Sequence, residues 1–205
     1  MATPSPGLPL RACLLSGGES RRMGRDKALL PHPAGGCWLE QSLRRLAALD
    51  LPVTVFSRHA AHLELAACLG EELCTAVAEP PPWEGPLLAL QRLMEQFPEQ
   101  RLLLCPVDMP ALTTEVLQQL LAAAASEPSV IHLAHDGQRL QPLLGIYPSD
   151  GHHRTRLTAA VANGERRLQS WLADEDYRRV LLDGGALRNV NRPAAIFADP
   201  EPGAR

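Results

Sequence analysis

The stretch RACLLSGGES, residues 11–20, passes from an unbroken apolar run, Ala12 to Leu15, straight into a serine and two glycines. A short apolar run that stops at turn residues is the pattern of a strand buried on both faces, and such strands belong to parallel sheets. The same pattern recurs along the chain. VTVFS (53–57) is β-branched and short, CTAVAE (74–79) is a weaker strand, and RLLLCPVD (101–108) is the strongest. Between them lie helical stretches, at 38–49 with leucines at 39, 43, 46 and 49, at 62–72, at 87–97 and at 113–125. Strand and helix therefore alternate, which argues a mostly parallel, Rossmann-like α/β sheet with helices on both faces.

The last third is read differently. SVIHLAH (129–135) and QPLLGIYPS (141–149) form two strands around an Asp136-Gly137 turn. A helix is expected over 165–175, a strand over 178–183 and a short helix over 192–198. No internal repeat and no long linker divides the chain, so one domain is expected over residues 11–198, with loose tails at 1–10 and 199–205.

Bulk composition excludes several classes. A net charge of -3 gives no electrostatic case for nucleic-acid binding. No apolar run is long enough for a membrane span, and MATPSPGLPL reads as a tail rather than a signal peptide. Five cysteines without a CxxC pair favour reduced thiols and a cytoplasmic setting, with Cys105 a packing residue.

In open parallel sheets, ligands bind beyond the carboxyl ends of the strands. Three features fall there: the glycine turn after residue 16, Glu79 and Asp108. The turn is not a Walker A loop, because five residues separate Gly18 from Gly24 and Lys27 is followed by alanine. It is not GxGxxG either. The physics is shared, however. Gly17 and Gly18 let backbone N–H groups approach an anion, and Arg22 and Lys27 supply charge. Asp108, ending the strongest strand, has the chemistry of a Mg²⁺ ligand or of a turn-capping carboxylate. His59 and His62, with no acidic partner close in sequence, read as surface histidines, and the arginine pairs at 44–45 and 178–179 as solvated faces.

LLSGGESRRMGRDKALL (14–30) resembles the signature LAGGxSxRMGxDKxLL of the molybdenum cofactor guanylyltransferases (MobA), within the nucleotidyltransferase superfamily. WEGPLLAL (83–90), CPVDMPALT (105–113), QPLLGIYPS, NGERRLQSWL (163–172) and NVNRPAAI (189–196) resemble further family segments in the same order. The resemblance implies transfer of GMP from GTP to the terminal phosphate of molybdenum-loaded molybdopterin, with release of pyrophosphate. It implies Mg²⁺ held by Asp108 and Asn191, and catalytic roles for Arg22, Lys27 and Asp108. It implies nucleotide contacts from Leu15, Ser16, Gly17, Gly18, Arg22, Gly24, Lys27, Ser57, Glu79 and Asp108, with Glu79 and Ser57 nearest the base. One of Arg166 and Arg167 is expected near the pterin phosphate, and the product would pass to recipient molybdoenzymes.

The chain departs from the pattern in places. Ser16 stands for an alanine, the asparagine after the second strand is absent, and PHPAGGCWL lacks a Gly-Lys-Pro-Leu run. Competing readings are a sister enzyme using CTP on the same pterin or another phosphate acceptor, and a non-catalytic pterin carrier. Retained Lys27 and Asp108 speak against the carrier.

Overall fold

A computed structural model describes residues 8–18 and 26–189. Arg22, Gly24, Asn191 and the helix expected at 192–198, and with it the C-terminal end of the expected domain, lie outside the described residues.

Seven strands form one sheet in the order β3-β2-β1-β4-β6-β5-β7. They are β1 (Leu10–Leu15), β2 (Val53–Ser57), β3 (Thr75–Ala78), β4 (Arg101–Pro106), β5 (Ile131–His135), β6 (Leu140–Pro148) and β7 (Tyr177–Leu181). β1 pairs in parallel with β2 and β4, β2 with β3, and β5 with β7. β6 lies antiparallel between β4 and β5 and is the one reversed strand among those described. The reversal starts at the turn expected from sequence. Asp136 Oδ1 accepts the N–H groups of Gln138 and Arg139, and Gly137 takes a φ of 93° that favours glycine.

Alternation along the strands divides the core in two. Ala12, Leu14, Leu103 and Cys105 face α1 (Trp38–Ala47), α2 (Ala60–Cys68) and α4 (Thr114–Ala124). Cys13, Leu102 and Leu104 face α3 (Pro86–Gln96), α5 (Gly151–Ala162) and α6 (Leu168–Leu172). The leucine stripe of α1 is buried, at Leu39, Leu43 and Leu46, each such side chain contributing about 1.5–3 kcal/mol. Cys13 and Cys105 are buried in these layers, and burial pushes both thiols up to about 12, so neither supplies a thiolate at neutral pH.

The structure corrects three expectations. A helix, α5, occupies 151–162, a region given no helix in the sequence reading. It is capped by Asp150, whose side chain accepts the His153 N–H, and it buries only His153 and Leu157, so its apolar stripe is too thin to show periodicity. The helix expected over 165–175 shrinks to α6, because the Glu165 carboxylate binds the N–H groups of Arg166 and Arg167 and holds that segment as a capping turn. Arg45 is not a solvated arginine: it is partly buried, with Nη2 3.4 Å from the Pro110 carbonyl, and burial lowers its pKa.

Candidate functional site

The carboxyl ends of β1, β2, β3 and β4 open on one cleft of about 490 Å³. Parallel pairing carries on just past the strands. Ser16 N–H donates to Phe56 O at 3.2 Å, Val107 N–H to Leu15 O at 3.3 Å, and Glu79 N–H to Ser57 O at 2.8 Å. These bonds fix where each chain leaves the sheet, and so where the following residues point. Leu15, Ser16, Gly17, Gly18, Lys27, Glu79 and Asp108, all expected from sequence, line this cleft together. The site thus joins segments some ninety residues apart, which only the sheet topology brings to one edge.

Gly17 lies close to the Glu79 carboxylate. A Cβ there would stand 2.8 Å from Glu79 Oε2. The Lys27 side of the cleft is shaped by a short 3-10 turn, Lys27–Leu29, capped by Asp26, whose Oδ1 accepts the Ala28 N–H at 3.0 Å. Lys27 Nζ stands 3.9 Å from Asp108 Oδ2. That is an ion-pair separation, too long for a hydrogen bond. Burial pushes the Asp108 carboxyl above the usual carboxylate range, while the Lys27 ammonium and the residue's own backbone N–H pull it back.

Among the described residues no three His, Cys, Asp or Glu side chains gather as a metal cage. Asp108, a carboxylate on the wall of this cleft, fits a hard cation that takes one or two protein oxygens and completes its shell with water and substrate phosphates.

Glu79 is not a solvated strand-end carboxylate. Its side chain is 9% exposed and pairs with Arg92 Nη1 at 3.4 Å. Burial raises its pKa, and Arg92, Arg58 and His59 oppose the rise. Arg92 also donates to Pro82 O, and the Trp83 indole N–H donates to Glu79 O. The Arg58 guanidinium lies 5.3 Å from the Trp83 ring centroid, and both residues line the cleft.

Ser57 is the described candidate that the structure does not bring to the cleft. Phe56 lines the cleft, and strand alternation turns Ser57 to the opposite side, where it is fully buried against α2. Its hydroxyl meets His62 Nδ1 at 3.0 Å and the Ser16 carbonyl at 3.4 Å. His62 is likewise not a surface histidine: it is fully buried, with Nε2 2.7 Å from Asp26 Oδ2. Arg166 bonds Glu84 and the Val161 carbonyl, so its guanidinium fastens the lip of the cleft to the end of α5. Sequence reasoning missed Asp26, Arg58, His62, Trp83 and Arg92. Asp26 alone carried a signal, as the residue before Lys27 and a natural helix cap.

Residues 12–180 match the family described as the MobA-like NTP transferase domain. The chain is 36% identical to a probable molybdenum cofactor guanylyltransferase of Rhodopirellula baltica, over 92% of this chain and 90% of that one. It is 33% identical to a protein of the same description from Mycobacterium tuberculosis, over 96% of both. Among solved structures, molybdopterin-guanine dinucleotide biosynthesis protein A of Archaeoglobus fulgidus has the same fold, with a TM-score of 0.70 at 16% identity, covering 91% of this chain and 94% of that one.

Proposed function

From the membership of this chain in the MobA-like nucleotidyltransferase family, we infer that it transfers GMP from GTP to the terminal phosphate of molybdopterin, forming the guanine dinucleotide of the molybdenum cofactor and releasing pyrophosphate. The observation that carries the reading is one cleft in which the Gly17-Gly18 turn, Lys27 and Asp108 converge from three segments of a nucleotidyltransferase fold.

The geometry suits in-line phosphoryl chemistry, in which positioning and charge neutralisation do most of the work. The acceptor is a phosphate monoester, already ionised near neutral pH, so no general base is needed. Gly17, Gly18 and Lys27 line the cleft, where backbone N–H groups and the ammonium would hold the β- and γ-phosphates and stabilise charge building on the departing pyrophosphate, and Arg22 would add a second cation. Gly24 would serve the same turn. Asp108, with Asn191, would hold Mg²⁺, which supplies Lewis-acid neutralisation of the phosphate oxygens when bound. Glu79 presents a buried carboxylate at the cleft wall, able to accept the paired N–H groups of a guanine edge, and Trp83 offers a ring face beside it. Among the described residues no helix is long and apolar enough to cross a membrane. A cytoplasmic enzyme that passes its product to recipient molybdoenzymes accords with the reduced cysteines.

The test is pyrophosphate release by purified protein with Mg²⁺ and molybdenum-loaded molybdopterin, comparing GTP, CTP, ATP and UTP. Release with GTP alone is expected. Release with CTP instead overturns the guanine assignment, and silence with all four overturns the enzyme.

A further inference from the structure

Three contacts fasten the junction of β2 and α2 to the phosphate turn. The Ser57 hydroxyl reaches the Ser16 carbonyl at 3.4 Å, His59 Nε2 lies 3.4 Å from the Gly18 carbonyl, and His62 Nε2 lies 2.7 Å from Asp26 Oδ2. The first two grip the chain where it leaves β1. The third grips it at the residue before Lys27. His62 is the joint between them, because its other nitrogen, Nδ1, is 3.0 Å from Ser57 Oγ, which also accepts the His59 N–H at 3.1 Å.

A fully buried imidazole is costly unless both nitrogens are bonded. Here both are, and their partners come from different segments. An ionised carboxylate only accepts, so Nε2 carries its hydrogen toward Asp26; Nδ1 then takes the single serine hydroxyl hydrogen, and the 3.4 Å approach of Ser57 Oγ to the Ser16 carbonyl is a packing contact. The second Asp26 oxygen caps the 3-10 turn at Ala28, which places Lys27 between two residues fixed by one carboxylate.

We propose that His62 is a positioning residue for nucleotidyl transfer: bonded to Ser57 on one side and to Asp26 on the other, it sets the distance between the backbone N–H groups of the glycine turn and the Lys27 ammonium, and with it the width of the subsite for the pyrophosphate leaving group. His62 touches no substrate. Its role rests on the function inferred above, but the subsite can be read with pyrophosphate alone.

The experiment compares wild type with His62→Leu, His62→Gln, His62→Asn, Asp26→Ala and the Asp26→Ala/His62→Leu double variant. Pyrophosphate affinity is measured by calorimetry, and KM and kcat for GTP by turnover with loaded molybdopterin. His62→Leu should lower kcat/KM about 100-fold, the scale of a displacement of about 1 Å at a catalytic group, with weaker pyrophosphate binding. Glutamine places its amide nitrogen near the Nε2 position and should recover most of the loss, whereas asparagine reaches only toward Ser57 and should not. Asp26→Ala should lose at least as much as His62→Leu, since it also removes the Ala28 cap, and the double variant should match Asp26→Ala, because the two residues act as one unit. Equal behaviour of the leucine and glutamine variants, or wild-type pyrophosphate affinity in His62→Leu with only a lowered melting temperature, overturns the proposal. Should His62→Leu fail to fold, Asp26→Ala decides, since that side chain is a third exposed, and unchanged affinity there also overturns it. Turnover of CTP in place of GTP, with the same ranking of variants on pyrophosphate, overturns the guanine assignment and supports the role of His62.

Discussion

Removing the Arg92 guanidinium should destabilise the protein at neutral pH and do much less in acid. Arg92 Nη1 lies 3.4 Å from Glu79 Oε1, with the two side chains 13% and 9% exposed. Two unit charges at that separation attract by about 5 kcal/mol at an effective dielectric of about 20. Breaking a buried pair by deleting one partner costs about 3–5 kcal/mol, because the other charge is left uncompensated. Arg58 and His59 still face Glu79, which places Arg92→Met at the lower end, about 3 kcal/mol or about 10 °C in melting temperature for a chain of this size. The sign with pH follows from burial, which already raises the Glu79 carboxyl above its usual range. A group with a raised folded pKa binds a proton more tightly folded than unfolded. Its favourable contribution is complete below the unfolded value and is lost as pH rises through the folded one. Without Arg92 the folded value rises further, so the loss deepens and extends to higher pH. The gap between wild type and Arg92→Met should therefore be small near pH 4 and open steadily above it. Adding Glu79→Gln should close most of it, since no charge then remains to strand. Urea denaturation of wild type, Arg92→Met, Glu79→Gln and the double variant at pH 4 and pH 7.5 measures this. A gap independent of pH, or one that Glu79→Gln leaves untouched, refutes the electrostatic account and leaves lost packing of the Arg92 stem as the cause.

Asp108→Asn should lower turnover about 1,000-fold, yet raise the melting temperature at neutral pH, because the raised pKa means that the ionised form costs folding energy; the gain should shrink as pH falls toward 3.8 and vanish well below it, where both folded and unfolded carboxyls are protonated, and pH-dependent melting checks it. Gly17→Ala puts a Cβ 2.8 Å from Glu79 Oε2, a carboxylate that Arg92 holds in place, so KM for the nucleotide should rise about tenfold, equivalent to about 1.4 kcal/mol, with little change in melting temperature. Gly145→Ala, in the interior of β6 and outside the lining of the cleft, meets the His132 backbone oxygen at 2.8 Å and Leu133 Cδ2 at 2.7 Å, and should cost about 1–3 kcal/mol by denaturant titration without altering KM.

The legible part of the fold is the part in which one segment carries its own signal. β1, β2 and β4 are nearly uninterrupted apolar runs because helices cover both of their faces, and α1 shows its leucine stripe because it lies flat on the sheet. α5 escaped because it buries two side chains, and its start is marked by a capping aspartate rather than by periodicity. The site divides in the same way. Gly17, Gly18, Glu79 and Asp108 were accessible to reasoning because each follows a strand, and the topology rule places strand ends together. Ser57 also follows that rule but fails at the next level: one residue of alternation after Phe56 turns it inward. The pairs Asp26–His62 and Glu79–Arg92 bridge separate elements at spacings that match no helical or strand period, so nothing local announces them.

Those pairs also decide which carboxylate is available to a cation. Three face the cleft. Asp26 spends one oxygen on the Ala28 N–H and the other on His62. Glu79 has one oxygen on Arg92, and Arg58 and His59 face the same carboxylate. Asp108 has an ammonium 3.9 Å away, beyond hydrogen-bond reach, and a bond from its own backbone N–H. It lines the cleft in a setting that disfavours bare negative charge. A carboxylate in that state gains more from an incoming cation than one already bonded, because partial burial leaves its charge poorly compensated. A metal role for Asp108 is thus favoured over one for Asp26 or Glu79 by partnership, not by position along the chain. The prediction that Asp108→Asn stabilises the fold while lowering turnover is the measurable form of that difference.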